Sequence, residues 1–110
     1  MSKAAFWQRG EALDYTNTGT KTIEANTIIS FGGHIGIAGT DILPGEVGSL
    51  HVTGVFEMPK TDAAAIEMGT EVYFDGEGIT ATKGDSAIPA GYAVQAAAAA
   101  DTVILVKLGG

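Results

Sequence analysis

Few side chains in this sequence could do chemistry, and their spacing limits what chemistry that could be. His34 and His51 are the two histidines. They lack the one-turn spacing that places two imidazoles on one helix face, and no third ligand accompanies them, so a zinc site is not expected. No G-x-S-x-G elbow is present, which makes both histidines strand-surface residues rather than general bases. Gly19-Thr-Lys-Thr copies part of a phosphate loop but lacks the glycine beside the lysine and the glycine upstream. Asp75, Glu77 and Asp85 fall at turns. Either they meet at one sheet edge, where they would hold a divalent cation, or they are solvated turn acids. Cysteine is absent, which excludes disulfides, thiolate metal centres and thiol nucleophiles.

Lys60 is the remaining reactive group. It sits in Glu57-Met-Pro-Lys-Thr-Asp-Ala, an acidic, methionine-containing context that resembles the hairpin lysine of biotinyl and lipoyl carrier domains, which are also small, acidic and all-β. Pro59 directly before the lysine and a helix-like segment after it depart from that pattern. A carrier domain is therefore kept as the alternative function. No cofactor and no metal are expected on the main reading.

The chain has 110 residues, room for one domain. Six basic residues against 13 acidic ones give a formal charge of −7. Nucleic-acid binding needs a cationic surface that displaces counterions from phosphates, so this balance argues against it. No apolar run approaches the ~20 residues of a membrane-spanning helix. Met1-Ser-Lys-Ala-Ala-Phe-Trp has no apolar core of signal-peptide length after Lys3.

The elements that must position these residues are organised around Gly45–Lys60. Val47, Leu50, Val52, Val55 and Phe56 alternate with polar residues along one long strand, and Pro59 ends it because proline cannot donate to a ladder. The alternation slips at Gly54, so a bend there would restore one buried face and let the strand cross between two sheets or wrap a small barrel. Glu11–Thr16, Thr27–Phe31, His34–Ala38, Thr70–Phe74, Gly78–Lys83, Tyr92–Ala97 and Thr102–Leu108 read as further strands. Gly32-Gly33 and Asp75-Gly76 read as hairpin turns, Leu43-Pro44-Gly45 as a type II turn and Ser86–Gly91 as another turn. The continuous apolar run Thr102–Leu108 suggests burial on both faces. Lys60–Met68 is the best helix candidate, with Thr61 or Asp62 as cap and Gly69 as stop.

Asn26–Gly33 echoes Gly69–Gly76 in order. Each is followed by a short strand, an acidic turn residue (Asp41, Asp85) and a proline-glycine loop, which suggests two copies of one β-meander. The fold expected is all-β, a small barrel or sandwich with one short helix and an internal duplication. Residues 1–10 form an N-terminal arm and 11–110 a single β domain. The arm carries Phe6, Trp7 and Arg9. These either fold back to cap the core or dock on another chain, since aromatics and arginine are favoured interface anchors.

Gly10-Glu-Ala-Leu-Asp-Tyr-Thr-Asn, Ile35-Gly-Ile-Ala, Gly45-Glu-Val-Gly, Gly54-Val-Phe-Glu-Met-Pro-Lys, Gly69-Thr-Glu-Val-Tyr-Phe-Asp and Gly91-Tyr-Ala-Val occur in the order seen in a family of small phage and prophage proteins. By that order the chain resembles the capsid cement, or head decoration, proteins of tailed phages, a family often labelled a RecA/RadA-type recombinase. Strand exchange needs a phosphate loop, a magnesium ligand and basic surface, and this chain supplies none of them. The resemblance implies a β-tulip or β-clip-like domain without enzymatic activity. It implies binding to the major capsid protein on the virion surface after synthesis in the host cytoplasm, as a homo-oligomer with a trimer favoured and a dimer as the other option. No nucleic-acid or membrane partner is implied. Beside the carrier domain, a β-rich phage adaptor or tail-associated protein, which would bind something other than the shell, is the other alternative. Carried onto this chain, the shell-reaching segment is Ala4–Gly10, with Phe6, Trp7 and Arg9 as capsid contacts.

Overall fold

A computed structural model describes residues 2–6, 8, 10–85 and 87–109. Nine strands form two antiparallel sheets: β1 (Ala12–Thr16), β2 (Ile28–Phe31), β3 (His34–Ala38) and β4 (Val47–His51) in the first, and β5 (Gly54–Pro59), β6 (Glu71–Phe74), β7 (Ile79–Thr80), β8 (Ile88–Ala93) and β9 (Val103–Leu108) in the second. The strand orders are β1-β4-β3-β2 and β5-β9-β8-β6-β7. Both sheets are open-edged, so the architecture is sandwich-like rather than a closed barrel.

The bend expected in the long strand divides it between the sheets. β4 ends at His51 in the first sheet, β5 begins at Gly54 in the second, and Gly54 has φ 119°. That backbone conformation is open to glycine and strained for other residues. Chain direction changes there, and the apolar parity changes with it.

The duplication extends over the whole domain. Strands β1, β4, β3 and β2 of the first sheet correspond in order and pairing to β5, β9, β8 and β6 of the second. The register agrees up to the shift between Val72 and Tyr73: Leu13 pairs with Leu50 as Phe56 pairs with Val106, Ala38 with Leu50 as Ala93 with Val106, and Ile29 with Gly36 as Val72 with Gly91. Outside the strands the bridge Ile23–Ile42 is repeated by Ile66–Ala97. Asn26 and Gly69, each donating its N–H across to the carbonyl of Ala38 or Ala93, both have positive φ. The echo at Asn26–Gly33 and Gly69–Gly76 therefore marks a true repeat. Its continuation does not follow the Asp41/Asp85 alignment, because the segment 75–87, with β7, is an insertion in the second half. The counterpart of the Pro44-Gly45 turn is Ala99-Ala100, between Ala97 and β9.

The core sits mainly on the second sheet. Met58, Val72, Ile79, Ile104, Val106 and Leu108 lead a buried cluster that also takes in Ile35 and Ile37 from the first sheet. A smaller cluster of Ile29, Ala38, Ile42 and Leu50 lies on the other face of the first sheet. Each fully buried aliphatic side chain contributes roughly 1.5–3 kcal/mol of transfer free energy, which makes the larger cluster the principal source of stability.

Some sequence expectations are corrected by the structure. Among the described residues there is no helix, and 60–68 is a loop. Lys60 and Thr61 give their N–H groups to the carbonyls of Thr102 and Ile79, and Ile66 exchanges both backbone hydrogen bonds with Ala97. An isolated helix this short is marginal in water, and cross-strand bonds win over alanine propensity. Thr102–Leu108 is buried on one face only, with Val103 44% exposed and Leu105 and Lys107 half-buried. Of the stretch Ser86–Gly91, expected as a turn, residues 88–91 instead open β8, which ends at Ala93, so Tyr92–Ala97 is not the strand expected, and of Gly78–Lys83 only Ile79–Thr80 forms a strand. Pro89 is tolerated in β8 because it pairs with Tyr73 at a register shift, where the ladder is already interrupted.

Candidate interaction site

Lys60 lies directly after β5 and is 8% exposed. Its Nζ donates to the carbonyl of Asp62 and, at 3.4 Å, to that of Ala99. Its counterpart in the first half is Asn17, directly after β1 and 3% exposed, whose Nδ2 donates to the carbonyls of Lys21 and Ile42 at 2.8 Å each. Both residues therefore do the same structural task, tying the end of a first strand to the loop returning from the third. A lysine acylated by a carrier ligase must project from a hairpin tip, and this ammonium points inward onto carbonyls.

The acidic turn residues do not converge. Asp75 accepts from the Oγ of Thr61 at 2.6 Å and from the N–H groups of Glu77 and Gly78 at 2.9 Å each. These bonds, that from Thr61 foremost, hold its carboxyl below the usual carboxylate range. Asp62 accepts from the N–H of Ala64, the N–H of Ala81 and the Oγ of Thr80. Its carboxyl is also depressed, first by the Ala64 bond, then by those of Ala81 and Thr80, with a smaller contribution from the Lys60 charge. The two aspartates thereby pin the inserted segment 75–87 to the segment 60–64, a role for Asp62 that sequence reasoning missed. No group of three or more His, Cys, Asp or Glu side chains among the described residues has the arrangement of a metal site, so the Asp75/Glu77/Asp85 cation site is not formed. His34 stacks obliquely on Phe31, with ring centroids 5.8 Å apart, and His51 lies 6.3 Å from Phe56; both are packing contacts.

What remains is surface. Phe6 is 87% exposed on the N-terminal arm, while its expected partners Trp7 and Arg9 lie outside the described residues. The arm enters β1 beside a groove of about 650 Å³, walled by Leu13, Phe31, His34 and Val52 on one side and by Glu71, Tyr73 and Tyr92 on the other. With one strongly exposed aromatic arm, an apolar groove and no assembled reactive centre among the described residues, the arrangement suits adhesion.

The family model for phage cement protein matches residues 7–108 of the 110-residue chain. The chain belongs to the phage cement protein family. No curated protein and no solved structure is matched. Cement proteins are structural, so membership points to a non-enzymatic role on the phage capsid, and the match spans both halves of the duplicated domain together with the last residues of the arm.

Proposed function

We propose that this protein binds the assembled phage head and ties neighbouring capsomers together, performing no reaction. Family membership over residues 7–108 carries this reading. A cement protein works by interface free energy summed over many equivalent lattice positions, so modest affinity per copy still holds a shell against internal pressure. The partner is the major capsid protein, and the working unit on the virion surface is a homo-oligomer, a trimer in preference to a dimer, made in the host cytoplasm. Residues 1–10 act as an arm separate from the β domain 11–110, and Phe6, Trp7 and Arg9 make the shell contact. The exposure of Phe6 supports that assignment.

The test is the stability of purified heads with and without the protein. Added protein should raise the temperature of head disruption and the resistance to osmotic shock; equal behaviour rejects the reading. Deleting residues 1–9 should abolish head binding, and undiminished binding would reject the anchor assignment.

The carrier-domain alternative is disfavoured by the buried, carbonyl-bonded ammonium of Lys60.

A further inference from the structure

The internal repeat gives the groove a meaning. In the first half, the register aligns Ala12, His51, Ile37 and Ile28 in one row across the sheet. The equivalent row in the second half is Val55, Lys107, Tyr92 and Glu71. The first row packs on the second sheet: Ile28 and Ile37 join the main core, and His51 lies against Phe56. The reciprocal contact would set the second row against Leu13, Phe31 and Val52, the counterparts of Phe56, Phe74 and Leu108. There the two walls stand apart, with Tyr92 and Glu71 facing Leu13, Phe31 and Val52 across the groove. One junction is sealed by isoleucines and its counterpart is open, leaving Leu13 and Tyr92 each 36% exposed.

An apolar gap of this kind is filled by an apolar segment, and the chain carries one. Phe6 is the most exposed large hydrophobic side chain described. Charge selects the same segment. All 13 acidic residues lie in 11–110 with Lys21, Lys60, Lys83 and Lys107, whereas the arm bears only Lys3 and Arg9. A cationic, aromatic arm is complementary to an acidic body whose groove carries Glu71 on its wall.

We propose that the groove between the two halves receives the N-terminal arm of a second copy, with Phe6 entering between Leu13 and Tyr92 and the arm's cations facing Glu71. In free protein the arm is thus held by a neighbouring copy, and on the head it is drawn out to the shell, so the two contacts exclude each other. The contact between copies goes beyond the cement reading and stands without it; its exchange for the shell contact rests on that reading.

The full-length chain supplies its own probe, because Trp7 is its single tryptophan and belongs to the arm. Tryptophan emission should shift to shorter wavelength as protein concentration rises, over the same range in which light scattering shows the mass increasing. Leu13→Lys and Glu71→Lys, at exposed positions, should abolish both changes while circular dichroism and melting stay those of the parent; Phe6→Ala should abolish the mass increase. A short-wavelength emission independent of concentration would mean that the arm lies on its own body, and would overturn the proposal. So would solvent-like emission at every concentration, or an unchanged shift in both groove variants. Head binding is scored separately on the same samples, so failure of the cement reading and failure of this one are told apart.

Discussion

Single residues set the tightest constraints. A Cβ built on Gly91, at φ 147°, would stand 1.8 Å from the carbonyl oxygen of Lys107 and 2.9 Å from its carbon. Those atoms are backbone in a paired strand and cannot swing aside. Gly91→Ala should therefore lower stability by roughly 3 kcal/mol or more, combining left-handed strain with overpacking; denaturant unfolding measures this, and a loss under about 1 kcal/mol would contradict the strand geometry. Asp62 and Asp75 make the opposite kind of contribution. Their carboxyls are depressed in the folded chain, so what they add is present above the ordinary carboxylate value of about 3.9 and is lost as the pH falls through the lower folded values. Asp62→Asn and Asp75→Asn should each lower stability at neutral pH and make the fall in stability below about pH 4 shallower than in the parent. A parent-like slope in both variants would remove the two aspartates as clasps of segment 75–87.

At the scale of elements, the two halves solve one packing problem with exchanged volumes. In the first half Gly48 leaves room that Ile42 fills: a Cβ on Gly48 would meet Ile42 Cγ1 at 2.4 Å. In the second half Ile104 stands where Gly48 stands and Ala97 where Ile42 stands, and both are buried. Ile42→Ala alone should cost about 2–5 kcal/mol through the cavity it opens, and Gly48→Ile alone should be destabilising by collision. The double variant, which copies the arrangement of the second half, should lose less than the sum of the single losses. A double-mutant cycle measures that difference, and strict additivity would show that the repeat is one of topology and not of packing. The same comparison explains Lys60. Its counterpart Asn17 reaches its acceptors with a short amide, while Lys60 spans to Asp62 and Ala99. Lys60→Met would leave those carbonyls short of a partner, with an expected loss of about 1–3 kcal/mol on unfolding.

For the whole molecule, membership in the cement family points to a structural role on the phage capsid, and the duplicated architecture is open-edged. Protein isolated from infected cells should show an intact mass equal to that of the unmodified polypeptide. A stable mass increment on Lys60 would revive the carrier-domain reading that its burial disfavours. Two open sheets leave β1, β2, β5 and β7 as edges, and Pro59 and the acidic Asp14 and Glu57 on two of them oppose indiscriminate strand pairing. The formal charge of −7 adds repulsion between free copies, so contacts between them must be specific ones.

Local chemistry wrote much of this into the chain. β-branched and alternating residues specified β1 to β4 and β6 to within a residue or two, Gly32-Gly33 the two-residue hairpin, and the parity slip at Gly54 the crossing between sheets. The motif order carried the family. Where the reading failed, a partner distant in sequence had overruled a local preference. Alanines around Asp62 favour a helix until Ile66 finds the backbone of Ala97, and Pro89 breaks a strand until a register shift removes the bond it cannot make. The inward turn of Lys60, the convergence of Asp62 and Asp75 on one inserted hairpin, and the open counterpart of a packed junction all arise between segments far apart along the chain. They depend on how two halves of equivalent strand order meet, and no local pattern encodes that meeting.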